Sequence, residues 1–348
     1  MNLSGRIYFI SEHSNQEIFH GGIGPTDIEK ILQRNNAIAI RFPYHFDFSI
    51  MAKIARAGYL IKIFFRIKPG SVIVFQHPLY ARMNKLLLQL LRLRRGVEII
   101  CLIADIDGLK DENEDLLKRE MHLFRQYKYF ILHNPNMHAW LQSFHPSANC
   151  SFLHCFDFLV KNNDYKRSKT STLVFAGNLQ KSRFLEKLHI WLERNASLHI
   201  HLYGPHSTDA MLINKNVCYK GLHYPYSLPD MVEGSFGLVW DGDGLEQPSG
   251  SLGNYMQYIS HHKLSLYIVC KMPVIVHEKA GSAQLVKKFN IGFTVKSLFE
   301  IEQKINGLSE MEYDSMVQNT YDLARHITSG NNLQKALIDL LLKIEGKS

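Results

Sequence analysis

Two doubly wound α/β halves facing each other across a cleft are what this sequence predicts, and three observations predict them. Short apolar runs alternate with helical stretches along the chain. The alternation breaks at 161–171, KNNDYKRSKTS, a polar run of the kind that links domains, and then restarts. Polar loops follow the strands of both halves, at the carboxyl ends where parallel sheets gather ligands beside helix N-termini. The expected divisions are residues 1–160, 172–318 and a helical segment at 319–348.

At 348 residues the chain is long enough for two cores. Its five cysteines are widely spaced and mostly sit inside apolar runs, which suits reduced, buried thiols and a cytoplasmic protein. The N-terminus lacks the pattern of a secretory signal. No stretch reaches the ~18 uninterrupted apolar residues of a spanning helix. A net charge of +8 fits an anionic partner. Nucleic acid is disfavoured, because the cations lie among leucines with no interleaved stacking aromatics and no recognition motif.

In chain order, 6–10 reads as the first strand and is followed by a glycine-rich turn. Gly21, Gly22 and Gly24 let backbone come close to a ligand, and Thr26 with Glu29 fits a capping box opening a helix. Residues 38–42 and 71–76 are further strands. Each precedes a helix rich in aliphatic and basic residues, at 51–68 and 83–95; such helices either cover a sheet with a basic outer edge or dock on anionic membrane. The strand at 98–103 ends in Ala104, Asp105, Ile106 and Asp107. A carboxylate there faces the cleft as a general base, with Asp105 the candidate and Asp107 the alternative. Strands at 130–133 and 151–156 close the first half.

The second half opens with a strand at 172–176 running into Gly177 and Asn178, then Lys181, whose charge reaches a diphosphate at a helix start. Strands at 198–203 and 217–219 and a short helix at 228–233 follow. The stretch 235–295 is the centre: an apolar strand at 236–240, a polar loop at 241–262, a helix opening with His262 and Lys263, and a strand at 273–276. Glu278, Ala280, Gly281 and Ser282 form the next binding loop. Leu333, Leu337, Leu340 and Leu341 line one side of a helix near the end of the chain.

The segment WDGDGLEQPSGSLGNYMQYISHHKLSLYI at 240–268, followed by PVIV, KA and IGF, resembles the C-terminal half of bacterial β-1,6-galactofuranosyltransferases of O-antigen synthesis. More distantly it is similar to the glucosyltransferases that extend glycans on streptococcal serine-rich adhesins. LIADIDGLK at 102–110, LHNPNM at 132–137 and FAGNLQKSRFL at 175–185 add to the match. The resemblance implies a GT-B fold of two Rossmann-like domains, an N-terminal acceptor domain and a C-terminal donor domain, with the last helix crossing back to the first. It also implies inverting transfer from a UDP-sugar, with galactofuranose the expected sugar, to a glycan acceptor, with no metal or other cofactor. A membrane-docking surface on the basic helices would suit an acceptor that hangs from a lipid carrier.

In that framework Asp105 accepts the acceptor's proton, and Lys263, His262 and Lys181 stabilise the departing diphosphate. Trp240, Asp241 and Asp243 line the sugar pocket with Trp240 as its apolar wall, Gly22 faces the cleft, and 278–282 holds the nucleoside. The spacing of Asp241 and Asp243 also matches a metal-chelating DxD, which the doubled Rossmann pattern and Lys263 argue against. Where the resembling transferases read HDID this chain reads ADID, so the group that orients the base is open. Two other readings stand beside this one: a UDP-glucose-dependent glucosyltransferase, and a non-catalytic sugar-nucleotide-binding partner of active transferases. Homo-oligomerisation is left open.

Overall fold

The computed structural model describes residues 6–13, 22–43, 47–205 and 207–346. Two six-stranded, wholly parallel sheets organise it. The first contains β1 (Ile7–Ile10), β2 (Ile38–Ile40), β3 (Val72–His77), β4 (Glu98–Ile103), β5 (Tyr129–Leu132) and β6 (Asn149–Phe152), in the order 2-1-3-4-5-6. The second contains β7 (Thr172–Ala176), β8 (His199–Tyr203), β9 (Val217–Gly221), β10 (Phe236–Val239), β11 (Val274–His277) and β12 (Gly292–Val295), in the order 12-11-10-7-8-9. Strands such as β3 and β11 are buried along their whole length, because helices cover both faces. This is why they read as unbroken apolar runs.

The helices of the first half include α1 (Ile23–Arg34), α2 (Ile50–Arg66) and α3 (Arg82–Arg92). The expected capping box of α1 is absent. The helix begins at Ile23 with Gly22 as its cap, so Thr26 and Glu29 fall inside it. The buried Glu29 carboxylate accepts instead from Ser11 Oγ and from the backbone N–H groups of Glu12 and His13, fixing the loop after β1. Gly21 lies outside the described residues.

In the second half, the segment after β10 forms a short helix, α4 (Gly250–Tyr255), and then α5 (His262–Val269). Tyr267 of α5 packs directly against Gly237, where a Cβ would come within 2.1 Å of its ring. Its hydroxyl accepts from Ala176 N–H and donates to Leu238 O, joining the two central strands. That contact seats α5 at the middle of the sheet.

The C-terminal segment divides later than expected. A 20-residue helix, α6 (Glu310–Ser329), capped by Ser309 and Glu312, stays on the second half, where Tyr313 donates to Ser235 O and Ala324 and Ile327 join the core around α5. Gly330, at φ 80°, supplies the left-handed turn. Only then does α7 (Asn331–Ile344) cross to the first half. Leu333, Ala336, Leu337, Leu340 and Leu341 pack with Phe9, Ile31, Val74 and Ile131. The Asp157 carboxylate receives the Asn332 and Leu333 N–H groups and caps the crossing helix.

Candidate active site

In the second sheet the strand order reverses between β7 and β10, and ligand crevices of such sheets open beyond the carboxyl ends at that point. A cavity of about 300 Å³ lies there, bounded in part by residues of the first half. Gly177, Asn178, Lys181, Asp241, His262 and Lys263 line it from the second half, and Ile23, Asp105 and Lys110 from the first. Asp105 and Lys263, 158 positions apart in sequence, thus share one chamber.

Asp241, just past β10, is 8% exposed and fully engaged. Ser182 Oγ donates to one carboxylate oxygen; His261 Nε2 and Lys263 Nζ, each at 2.9 Å, donate to the other. Burial alone would raise the pKa of this carboxyl. The Lys263 ammonium, then His261 and Ser182, more than offset it and hold Asp241 well below the usual carboxylate range. Lys263 also donates to Trp240 O at 3.2 Å and lies 4.2 Å from the Phe175 ring centroid. The ammonium is therefore pinned at the cavity wall, neither lost in the interior nor free in solvent.

Asp105, just past β4, is in a different state. Its side chain is 40% exposed and accepts from the Tyr255 hydroxyl at 3.2 Å and from Lys110 Nζ at 3.3 Å. Burial pushes its pKa up, against the opposing pull of Lys110. A carboxylate whose proton affinity is raised and which opens to a cavity is suited to take a proton. Asp107 also pairs with Lys110 but does not line this cavity. Tyr255 belongs to α4 of the second half, and its oxygen also receives the Ile106 N–H at 2.7 Å. The position left open by Ala104 is thus answered from the other domain.

One segment serves both carboxylates. Between Asp241 and Lys263 the chain sends Tyr255 to Asp105, Met256 Sδ to the Asp241 N–H at 3.2 Å, and His261 to the Asp241 carboxylate. Buried His133 steadies it, its Nδ1 accepting the Ser260 N–H at 3.1 Å. Burial, followed by nearby His261, lowers the His133 pKa to about 3, so the ring is a neutral acceptor.

Several expected site residues stand elsewhere. Trp240 is fully buried and its indole donates to Gly244 O at 2.9 Å, so it is not a pocket wall. Strand alternation is the reason: Phe236, Leu238 and Trp240 share the face that fills the core under the helix at Leu188–Arg194, whereas Val239 faces α5. Asp243 lies off the cavity, its carboxylate against Gly250, where it shapes the loop. His262 lines the cavity but is not the expected cation. Packed against Phe156 and Phe158, it is held neutral by burial, with its pKa lowered to about 4. The histidine that meets the Asp241 carboxylate is its neighbour His261, which sequence reasoning passed over along with Ser182, Tyr255 and Lys110. The adjacent histidines before Lys263 were the visible signal.

Glu278, Ala280, Gly281 and Ser282 also lie outside the cavity lining. A Cβ at Gly281 would come within 2.3 Å of Asn134 and 2.9 Å of the Gln257 and Ile259 carbonyl oxygens, so this turn is packed into the domain interface. Gly22 caps α1 one residue before the lining Ile23. Lys181 is exposed on a short 3₁₀ turn capped by Asn178, with no ion pair among the described residues.

Comparison with known proteins fits this geometry. The family model described as glucosyltransferase 3-like, N-terminal domain, matches residues 7–146, and its C-terminal counterpart matches residues 173–340. The chain belongs to the glucosyltransferase 3-like family. The β-1,6-galactofuranosyltransferase WbbI of Escherichia coli is 27% identical over 255 residues, 70% of this chain and 71% of WbbI. Glucosyltransferase 3 of Streptococcus gordonii is 22% identical over 331 residues, 92% of this chain and 94% of that protein. Among solved structures, Anabaena Alr3699/HepE in complex with UDP and glucose superposes with a TM-score of 0.61 at 11% identity, covering 97% of this chain and 99% of that one. WaaG, a glycosyltransferase involved in lipopolysaccharide biosynthesis, gives 0.54 at 11% identity, covering 95% and 98%. By family and fold, the glucosyltransferase 3-like chain is a glycosyltransferase of the GT-B type.

Proposed function

We propose that the chain transfers a sugar from a UDP-sugar to a glycan acceptor by a single inverting displacement in the cavity between its halves. The observation that carries the reading is the presence of Asp105 and Lys263 on opposite walls of that cavity. The acceptor hydroxyl oxygen attacks the anomeric carbon, the bond from that carbon to the diphosphate breaks, and UDP leaves with the electron pair. Asp105 takes the hydroxyl proton, oriented by Tyr255 and Lys110. Lys263, held in place by Asp241, and Lys181 at the cavity edge offset the charge growing on the diphosphate. Asp241 spends its oxygens on Ser182, His261 and Lys263, which disfavours it as a chelator and supports metal-independent transfer.

Galactofuranose is the donor sugar we propose, for bacterial surface polysaccharide synthesis, on the strength of the identity to the E. coli galactofuranosyltransferase. Glucose is the second reading, favoured by the longer alignment with the S. gordonii protein. A screen of UDP-sugars with a panel of acceptor glycosides, read as UDP release, tests both. Release from UDP-galactofuranose is expected. Release from UDP-glucose alone would replace that donor, and UDP-sugar binding without release would make the chain a non-catalytic partner.

A further inference from the structure

From Phe48 to Val97 the sequence holds ten lysines and arginines and no aspartate or glutamate. Within this stretch α2 covers the first sheet with an unusually small contact, since only Ala52 and Ile63 of its 17 residues are buried. Its opposite face is apolar as well. Ile50, Met51, Ile54, Ile61 and Phe65, with Phe48 just ahead of the helix, are 57 to 76% exposed. With Gly58 these positions step by three and four residues, so they form one continuous stripe pointing away from the protein. Lys53 borders the stripe on one side, and Lys62 and Arg66 border it on the other, all exposed. The neighbouring α3 adds exposed Arg82, Lys85 and Arg92.

An apolar stripe edged by cations and free of acidic groups is the pattern of a helix that lies in a lipid–water interface. We propose that the outer face of α2 docks this protein on an anionic bilayer, the apolar side chains entering the acyl boundary and the flanking cations meeting lipid phosphates. A second copy of the chain fits the patch poorly, because a two-fold contact would set Lys53, Lys62 and Arg66 against their own images. The helix starts on the carboxyl-end edge of the sheet, the edge that also bears Asp105, so docking holds the cavity beside the surface. Docking of this face does not require the proposed transfer.

Flotation with vesicles of phosphatidylcholine, alone or mixed with phosphatidylglycerol, tests the inference without any turnover. The wild-type chain is expected to partition onto the anionic vesicles at least roughly tenfold better than onto the neutral ones, and less well as salt rises. Ile54→Glu with Phe65→Glu, and separately Lys53→Glu with Lys62→Glu and Arg66→Glu, should each cut that binding roughly tenfold or more while leaving the melting temperature in place. All of these side chains are exposed, so the fold does not depend on them. Wild-type protein that ignores both vesicles, or variants that float as well as wild type, would overturn the proposal. So would a dimer, seen by sedimentation, that Ile54→Glu disperses in a chain with no vesicle binding.

Discussion

Asp105 and Asp241 occupy matching places in the two halves, each just beyond the carboxyl end of a central parallel strand and each on the wall of one cavity. Their surroundings differ sharply. Asp241 is sealed among a hydroxyl, an imidazole and an ammonium and stays ionised. Asp105 meets a phenol and one lysine at longer range, is partly open, and has its proton affinity raised. Fold position alone therefore does not assign a role. The number and charge of the partners bear on it: they make one carboxylate an anchor for Lys263 and suit the other to its proposed role as proton acceptor.

Three substitutions probe that contrast, in falling order of effect. Asp105→Asn should lower kcat by roughly 10²- to 10⁴-fold, the span typical of a lost general base, with the melting temperature nearly unchanged. Asp241→Asn should act on stability: leaving the buried Lys263 without its counter-charge should cost about 3 kcal/mol in denaturant unfolding. Because the folded pKa of Asp241 lies below its ordinary 3.8, that difference should persist at all pH above that value and close only in stronger acid. Tyr255→Phe should be the mildest, a loss in kcat of roughly threefold to tenfold from a looser base. In the proposed mechanism turnover requires ionised Asp105 and so should fall as pH drops through its raised pKa. The Tyr255 hydrogen bond lowers that pKa, so its removal should move the acid limb of the kcat profile to higher pH.

Legibility in the sequence followed the range of the interactions. The strands at 98–103 and 172–176 were readable residue for residue, because burial on both faces writes itself as a local apolar run. The doubling of the fold was equally plain. Trp240 was misplaced although the alternation of Phe236, Leu238 and Trp240 pointed it inward; the adjacent aspartates drew the reading toward a pocket. His261 and His262 differ by one position at a helix start, and nothing local says which faces Asp241. The hold of Tyr255 on Asp105 spans 150 positions and joins two domains, and the Asp157 cap on α7 spans 175. Such pairings appear only once the halves are assembled.

UDP binding by calorimetry, run on Asp105→Asn and Lys263→Ala side by side, bears most directly on the opposition of a cation and a base across one cavity. The expected result is a Kd within about twofold of wild type for Asp105→Asn, and weaker by roughly tenfold or more for Lys263→Ala, as loss of a charge-assisted contact to phosphate requires. Unaltered binding in Lys263→Ala, or its collapse in Asp105→Asn, would contradict the assignment of the two walls.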